Sequence, residues 1–252
     1  MRLKPLAIGL GLLALAGCDA PQKRAVQNDP AFERELRAYL LAHPDVIRDA
    51  AAKLQEKKAA QARAVLAEAK SALERDPRDF VANPDGRATV VQFFDYRCPY
   101  SRAMAPEIDR LIAANRDVRF VFKQYPVFGS ASDYAARAAL TPQGKAKGLA
   151  LHRALMAQKD LNVVRTDRIL AQQGLNPREV DAAARDPDLA KQIADTRELA
   201  LKLDLKGTPT FVVAGEIIPG ADVERLEAAI ARARASALSS VGEALTRNPF
   251  GH

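Results

Sequence analysis

The chain has 252 residues, 48% of them apolar and 27% charged, with a net charge of +7. These are ordinary values for a globular protein and allow one large domain, or one domain with an appendage. The positive excess is spread along the chain, with no long basic block and no basic patch interleaved with aromatics. This excludes a nucleic-acid-binding stripe and leaves a solvated surface with weak attraction to anionic lipid. No metal-ligand spacing is present, no cofactor is expected, and the only cysteines are Cys18 and Cys98.

Arg2 and Lys4 form a basic start, and Leu6 to Ala16 is an apolar run too short for a comfortable membrane span. Leu15-Ala16-Gly17-Cys18 follows, and resembles the bacterial lipobox. The resemblance implies a signal peptide over 1–17 and a lipid-carrying Cys18 that anchors the chain to a membrane. The other reading is a plain secretory signal with an incidental cysteine. Asp19 resembles an inner-membrane retention signal of enteric bacteria, which slightly favours the inner membrane. With Cys18 lipidated, the mature protein keeps one thiol and no internal disulfide, which is unusual for an oxidising compartment.

Residues 18–30 are polar and aperiodic and read as a tether. Residues 31–78 read as a helical segment. Phe32, Leu36, Tyr39 and Leu40 share one face of a first helix that ends near His43-Pro44. A second helix starts at Asp45 and runs to about Arg75, with an apolar seam through Ile47, Ala51, Leu54, Ala62, Leu66, Ala69 and Leu73. A long helix with so narrow a stripe is not stable alone in water. It needs either its own globular domain or the same helix of another subunit. Self-association through residues 31–75 is the favoured expectation.

Asp76-Pro77 breaks the helix, Phe80-Val81 reads as a short edge strand, and Asn83-Pro84-Asp85-Gly86 is a turn. Thr89 to Phe94 is a β-branched and aromatic run that reads as a buried strand. A helical pattern follows from Pro99, with Met104, Ile108, Leu111 and Ile112 at helical spacing. Cys98 therefore sits at the start of a helix, where free N–H groups and the positive end of the helix dipole favour an anion. That placement predicts an exposed, thiolate-rich nucleophile.

Phe93-Phe94-Asp95-Tyr96-Arg97-Cys98-Pro99-Tyr100-Ser101, followed by Met104-Ala105-Pro106, resembles the active-site stretch of DsbA-like proteins, the thioredoxin-fold thiol–disulfide oxidoreductases of the bacterial envelope. The resemblance implies an α/β thioredoxin fold with an inserted helical domain, here preceded by an N-terminal helical extension. The thioredoxin domain would span 79–240, the insert about 130–203, and a tail 241–252. The family's redox pair is Cys-Pro-x-Cys, whereas here the second position is Ser101. The family commonly has a buried acid six positions before the first cysteine; here that position is Gln92, a neutral amide suited to a site with no second thiol. Lys123 is expected near Cys98, and Ser101 is expected to donate a hydrogen bond toward its sulfur.

Val118 to Lys123 alternates and reads as a further strand, which implies a right-handed parallel crossover. Residues Ser130 to about Leu203 read as four or five short helices, with Thr141, Asn176 and Asp186 as caps before prolines. His152 is expected to be a surface or half-buried residue without a catalytic role. Gly207-Thr208-Pro209-Thr210-Phe211 resembles the family's second diagnostic stretch. The resemblance implies a cis Pro209 facing the cysteine and a Thr208 backbone that pairs with a bound peptide. Ala214-Gly215-Glu216 reads as a hairpin turn, and a last helix carries Val223, Leu226 and Ile230.

The site implied by these stretches has Cys98 and Ser101 at the chemistry and Pro99, Tyr100, Thr208 and Pro209 around the substrate. Without a second cysteine the chain cannot store an internal disulfide. Three readings follow: monothiol exchange with protein substrates through mixed disulfides, a redox-inactive peptide or partner binder, and a substituted trap of a dithiol enzyme. Kappa-type glutathione transferases and chromene-carboxylate isomerases share the architecture and use serine, but lack a reactive cysteine at the Cys98 position. The expected location is the bacterial envelope, facing the periplasm.

Overall fold

The computed structural model describes residues 29–247. The leader, the lipobox with Cys18, the tether up to residue 28, and residues 248–252 lie outside the described residues. The described chain divides into two units, one ending at Gln55 and one starting at Glu56.

In the first unit, α1 (Pro30–Ala42) starts behind Asp29, whose carboxylate accepts from the Ala31 N–H at 2.9 Å. Pro30 occupies the first turn, where its missing N–H costs nothing. Helix α1 has no buried residue, and Phe32, Leu36, Tyr39, Ile47 and Leu54 are exposed. Helix α2 (Asp45–Glu74) begins in this unit and ends in the second.

The second unit is built on a five-stranded sheet in the order β1-β3-β2-β4-β5, formed by β1 (Phe80–Ala82), β2 (Ala88–Phe94), β3 (Val118–Gln124), β4 (Thr210–Val213) and β5 (Glu216–Pro219). Strands β2 and β3 are parallel and joined through α3 (Pro99–Ala114), while the other pairs are antiparallel. The turn before β2 brings Gly86 so close to β3 that a Cβ would lie 2.3 Å from the Arg119 backbone nitrogen, so only glycine fits. The hairpin at Ala214 and Gly215 takes positive φ at both residues, as a tight two-residue turn requires.

The side-chain alternation of the strands divides the core. Val90, Phe94, Phe120, Phe122, Phe211 and Val213 pack with Met104, Ile108 and Leu111 of α3 and with Leu226 and Ile230 of α10 (Val223–Arg247). On the other face, Val91, Phe93, Val121 and Val212 pack with Leu66, Ala69 and Leu73 of α2 and with Ala200 and Leu203. The seam of α2 is therefore shared. Its last turns belong to their own globular domain, because they cover an apolar sheet face that would otherwise meet water. Of the two partners expected for this helix, its own globular domain covers the end of the seam. The apolar residues nearer its start, Ile47 and Leu54, stay exposed.

The insert contains six helices rather than four or five: α4 (Ser130–Leu140), α5 (Pro142–Lys147), α6 (Leu149–Met156), α7 (Val163–Gln172), α8 (Pro177–Ala184) and α9 (Pro187–Lys202). The additional breaks fall at Gly148, whose φ of 53° ends α5 and begins α6, and between Met156 and Val163, where Asn162 caps α7. Thr141, Asn176 and Asp186 each accept a hydrogen bond from the first turn of the helix they precede. The last helix runs on to Arg247, into the stretch expected to be a tail. Among the described residues, no helix is long and apolar enough to cross a membrane.

Candidate active site

Strand β2 delivers the chain to the site, and residues 95–98 turn it into α3. The Cys98 N–H donates to the Asp95 carbonyl at 3.1 Å, and the Cys98 carbonyl accepts from the Arg102 N–H at 3.0 Å. Cys98 is the N-cap residue, and its side chain makes no capping hydrogen bond. The sulfur instead faces across the site. Cys98 Sγ lies 3.0 Å from the Thr208 carbonyl oxygen, to which the thiol donates, and the Thr208–Pro209 peptide bond is cis. The residue is only 2% exposed, which corrects the expectation of an open thiol: the helix start and the Thr208 backbone close over it.

The other site residues are distributed around this contact. Pro99 is exposed, and Tyr100 is 68% exposed beside the sulfur in sequence. Thr208 is half-buried and Pro209 buried. Pro209 is held by its carbonyl, which accepts from the Gly220 N–H at 2.8 Å. Ser101 is fully buried, and its hydroxyl has no hydrogen-bond partner. It therefore does not donate to Cys98, whose sulfur is engaged with Thr208. Gln92 is buried in β2 between Phe122 and Phe211 of the neighbouring strands, and its side-chain oxygen is likewise unpaired.

Lys123 is not part of the site. It alternates with Phe122 and Gln124, which places it on the opposite face of the sheet from α3. There its ammonium group lies 2.5 Å from Asp79 and donates to the Ala72 carbonyl at 2.6 Å. Burial pushes the Asp79 carboxyl up to about 6, with Lys123 opposing the shift. His152 is buried rather than half-exposed, edge-on to Phe94 and tilted against Phe122. Its Nδ1 lies 3.4 Å from the Tyr96 hydroxyl, which also accepts from Gln124 at 3.2 Å. Burial, with a smaller contribution from the Arg153 charge, pushes His152 down to about 3, so the ring is neutral.

Sequence reasoning missed Asp95, which is 1% exposed and accepts four hydrogen bonds. The only signal was an acid placed between a buried strand and a buried tyrosine.

The family model of DSBA-like thioredoxin domains matches residues 89–231. This chain belongs to that family. A second match, to the N-terminal domain of the copper resistance protein ScsC, covers residues 30–61. Among solved structures, a thioredoxin-like oxidoreductase from Silicibacter pomeroyi DSS-3 is 39% identical with a TM-score of 0.62, over 65% of this chain and 96% of that one. Proteus mirabilis ScsC in a transitional conformation is 31% identical with a TM-score of 0.63, over 82% of this chain and 99% of that one. Among curated proteins, the Na(+)/H(+) antiporter NhaA 3 of Salinispora tropica is 31% identical over 169 residues. That match takes in 64% of this DSBA-like chain and 26% of the antiporter, so the chain spans about a quarter of the curated relative's length.

Proposed function

We propose that this chain is a thiol–disulfide exchange protein of the bacterial envelope that works through one sulfur, Cys98. The observation that carries this reading is the 3.0 Å approach of Cys98 Sγ to the Thr208 carbonyl beside a cis Pro209, at a helix start whose next candidate sulfur position is Ser101. After the thiol loses its proton to solvent, the thiolate attacks one sulfur of a substrate disulfide. The substrate S–S bond breaks, its other sulfur leaves as a thiolate, and Cys98 is held in a mixed disulfide. A second thiolate, from the substrate or from a small thiol, then attacks the substrate sulfur and returns Cys98 as a thiolate. Each exchange breaks one S–S bond and forms one, so no net oxidant is needed. This suits isomerisation, or removal of a mixed-disulfide cap.

Deprotonation also ends the donation to Thr208. Its carbonyl then accepts from the N–H of an extended peptide, which supports substrate docking as an added strand at Thr208 and Pro209, beside exposed Pro99 and Tyr100. Protein thiols and disulfides are accordingly the substrate class. The basic leader, its short apolar run and the small residues before Cys18 support export to the periplasm and a lipid anchor. The exposed apolar side chains of residues 31–54, and a shallow cavity of about 290 Å³ lined by Leu36, Leu40, Leu41 and Ile47, support self-association through the first unit. Sedimentation of the mature protein as a strict monomer would remove that part of the reading.

The near-complete burial of Cys98 favours a second reading, a chaperone or adaptor that binds peptides without exchange. One experiment separates the two. Protein carrying Cys18→Ala is treated with glutathione disulfide and analysed by mass spectrometry. Exchange predicts one glutathionyl adduct on Cys98 that persists until a second thiol is added, and none on Cys98→Ser. Ser101→Cys should clear the adduct by itself, closing an internal disulfide. Absence of any adduct would shift the assignment to the binder.

A further inference from the structure

We propose that the Asp95 carboxylate is a positioning residue that fixes an apolar substrate lip, Val127 and Phe128, against the Cys98 turn. This rests on the exchange reading for its rate assay but not for its binding assay. The two carboxylate oxygens divide the work. Oδ1 accepts from the Arg97 N–H at 2.6 Å and from the Ser132 hydroxyl at 2.8 Å. Oδ2 accepts from the Val127 N–H at 2.7 Å and from the Phe128 N–H at 3.0 Å. Oδ1 thus ties the turn that carries Cys98 to the start of α4, and Oδ2 holds the loop after β3. The Asp95 carbonyl adds a further tie, accepting from the Cys98 N–H itself.

The loop is held from outside as well. The Arg97 guanidinium donates to the Phe128 carbonyl at 2.5 Å, and Arg197 donates to the Pro126 carbonyl at 3.1 Å. With the N–H groups of Val127 and Phe128 turned inward to Asp95, their side chains stand outward, 47% and 46% exposed. Two exposed apolar side chains on a loop pinned at three points are pre-organised for contact. Their fit is to apolar side chains flanking a disulfide in an extended peptide. A small disulfide such as glutathione disulfide has no such flank, and its reaction should be insensitive to the lip.

The test compares second-order rates of mixed-disulfide formation with glutathione disulfide and with a peptide disulfide flanked by leucines. In Asp95→Asn the amide places N–H donors where two donors now point inward, so one half of the bridge opens. The ratio of the peptide rate to the glutathione rate should fall about tenfold, as expected for losing burial of one apolar side chain. A parallel fall in both rates, or no fall in either, overturns the proposal. Phe128→Ala alters only an exposed side chain and should show the same selective loss; if it leaves the peptide rate unchanged, the proposal fails even where Asp95→Asn does not fold. Binding is measured separately by fluorescence anisotropy of the reduced peptide on Cys98→Ala protein. If the wild-type thiol reacts with neither disulfide but Asp95→Asn still weakens binding about tenfold, the exchange reading falls and the positioning role stands. Unchanged binding overturns the positioning role.

Discussion

On the face of the sheet that carries α3, the polar groups buried among the aromatic rings are neutral. Gln92 and Gln124 come from the strands, and Tyr96 and His152 meet over Gln124 among aromatic rings. On the opposite face, β3 turns Lys123 inward to Asp79, with Asp76 4.0 Å away and Gln192 3.3 Å from Asp79. Arg78 joins this cluster through Asp76 and Asp195. Adjacent residues of one strand, Lys123 and Gln124, thus serve opposite electrostatic regimes. The charged face ties the end of α2 to the sheet, since Lys123 bonds both Asp79 and the Ala72 carbonyl.

The largest expected effect breaks the charged face. Lys123→Met leaves Asp79 buried without its cation and should cost about 3–5 kcal/mol in urea unfolding. The double variant Lys123→Met, Asp79→Leu should recover most of that loss, because it also removes the stranded charge. A single-variant cost below about 1 kcal/mol would mean that the pair is not buried in solution.

The next effect is in pH dependence, where the two faces act with opposite sign. His152 is held at about 3, below its unfolded value, so the unfolded state binds the proton first. Its contribution is complete above the ordinary histidine range and is lost as pH falls toward 3, by about 3 kcal/mol between pH 8 and pH 4. Asp79 is held at about 6, above its unfolded value, so the folded state binds the proton first. Its contribution grows as pH falls from above 6 to 4, by about 2 kcal/mol. In the wild type the two largely cancel. In His152→Asn, stability measured by urea unfolding should rise on acidification from pH 7 to 4; in Asp79→Asn it should fall more steeply than in the wild type. Identical pH profiles for wild type and both variants would remove the contrast between the faces.

The smallest effect trims the charged face at its edge. The Gln192 amide reaches Asp79 only at 3.3 Å, and Gln192→Ala should cost about 1 kcal/mol, measured by the shift in urea midpoint.

Much of the fold was legible because its signals are local. The strand runs at 89–94 and 118–123, the proline-preceding caps Thr141, Asn176 and Asp186, and the Ala214-Gly215 turn each encode their geometry within a few residues. The candidate site was readable as two stretches, around Cys98 and around Pro209, and the structure brings Cys98 Sγ to 3.0 Å from the Thr208 carbonyl. What failed were statements about direction. Lys123 was expected at the site, but a strand's two-residue period puts it on the face away from α3. Ser101 was expected to reach the sulfur, but its first-turn position is buried inside.

The sequence by itself determined the helix start at Cys98, the parallel crossover and the amphipathic extension, since these follow from spacing and from residue chemistry; that Ser101 stands where DsbA-like proteins have their second cysteine came from the resemblance alone. Only the tertiary structure decided that the thiol is covered, that α2 is divided between its own domain and an exposed face, that His152 is neutral and buried, and that Asp95 joins two segments more than thirty residues apart in sequence. The physical reason is common to all four. Burial and hydrogen-bond partners are set by segments distant along the chain, and no local pattern records which of them will meet.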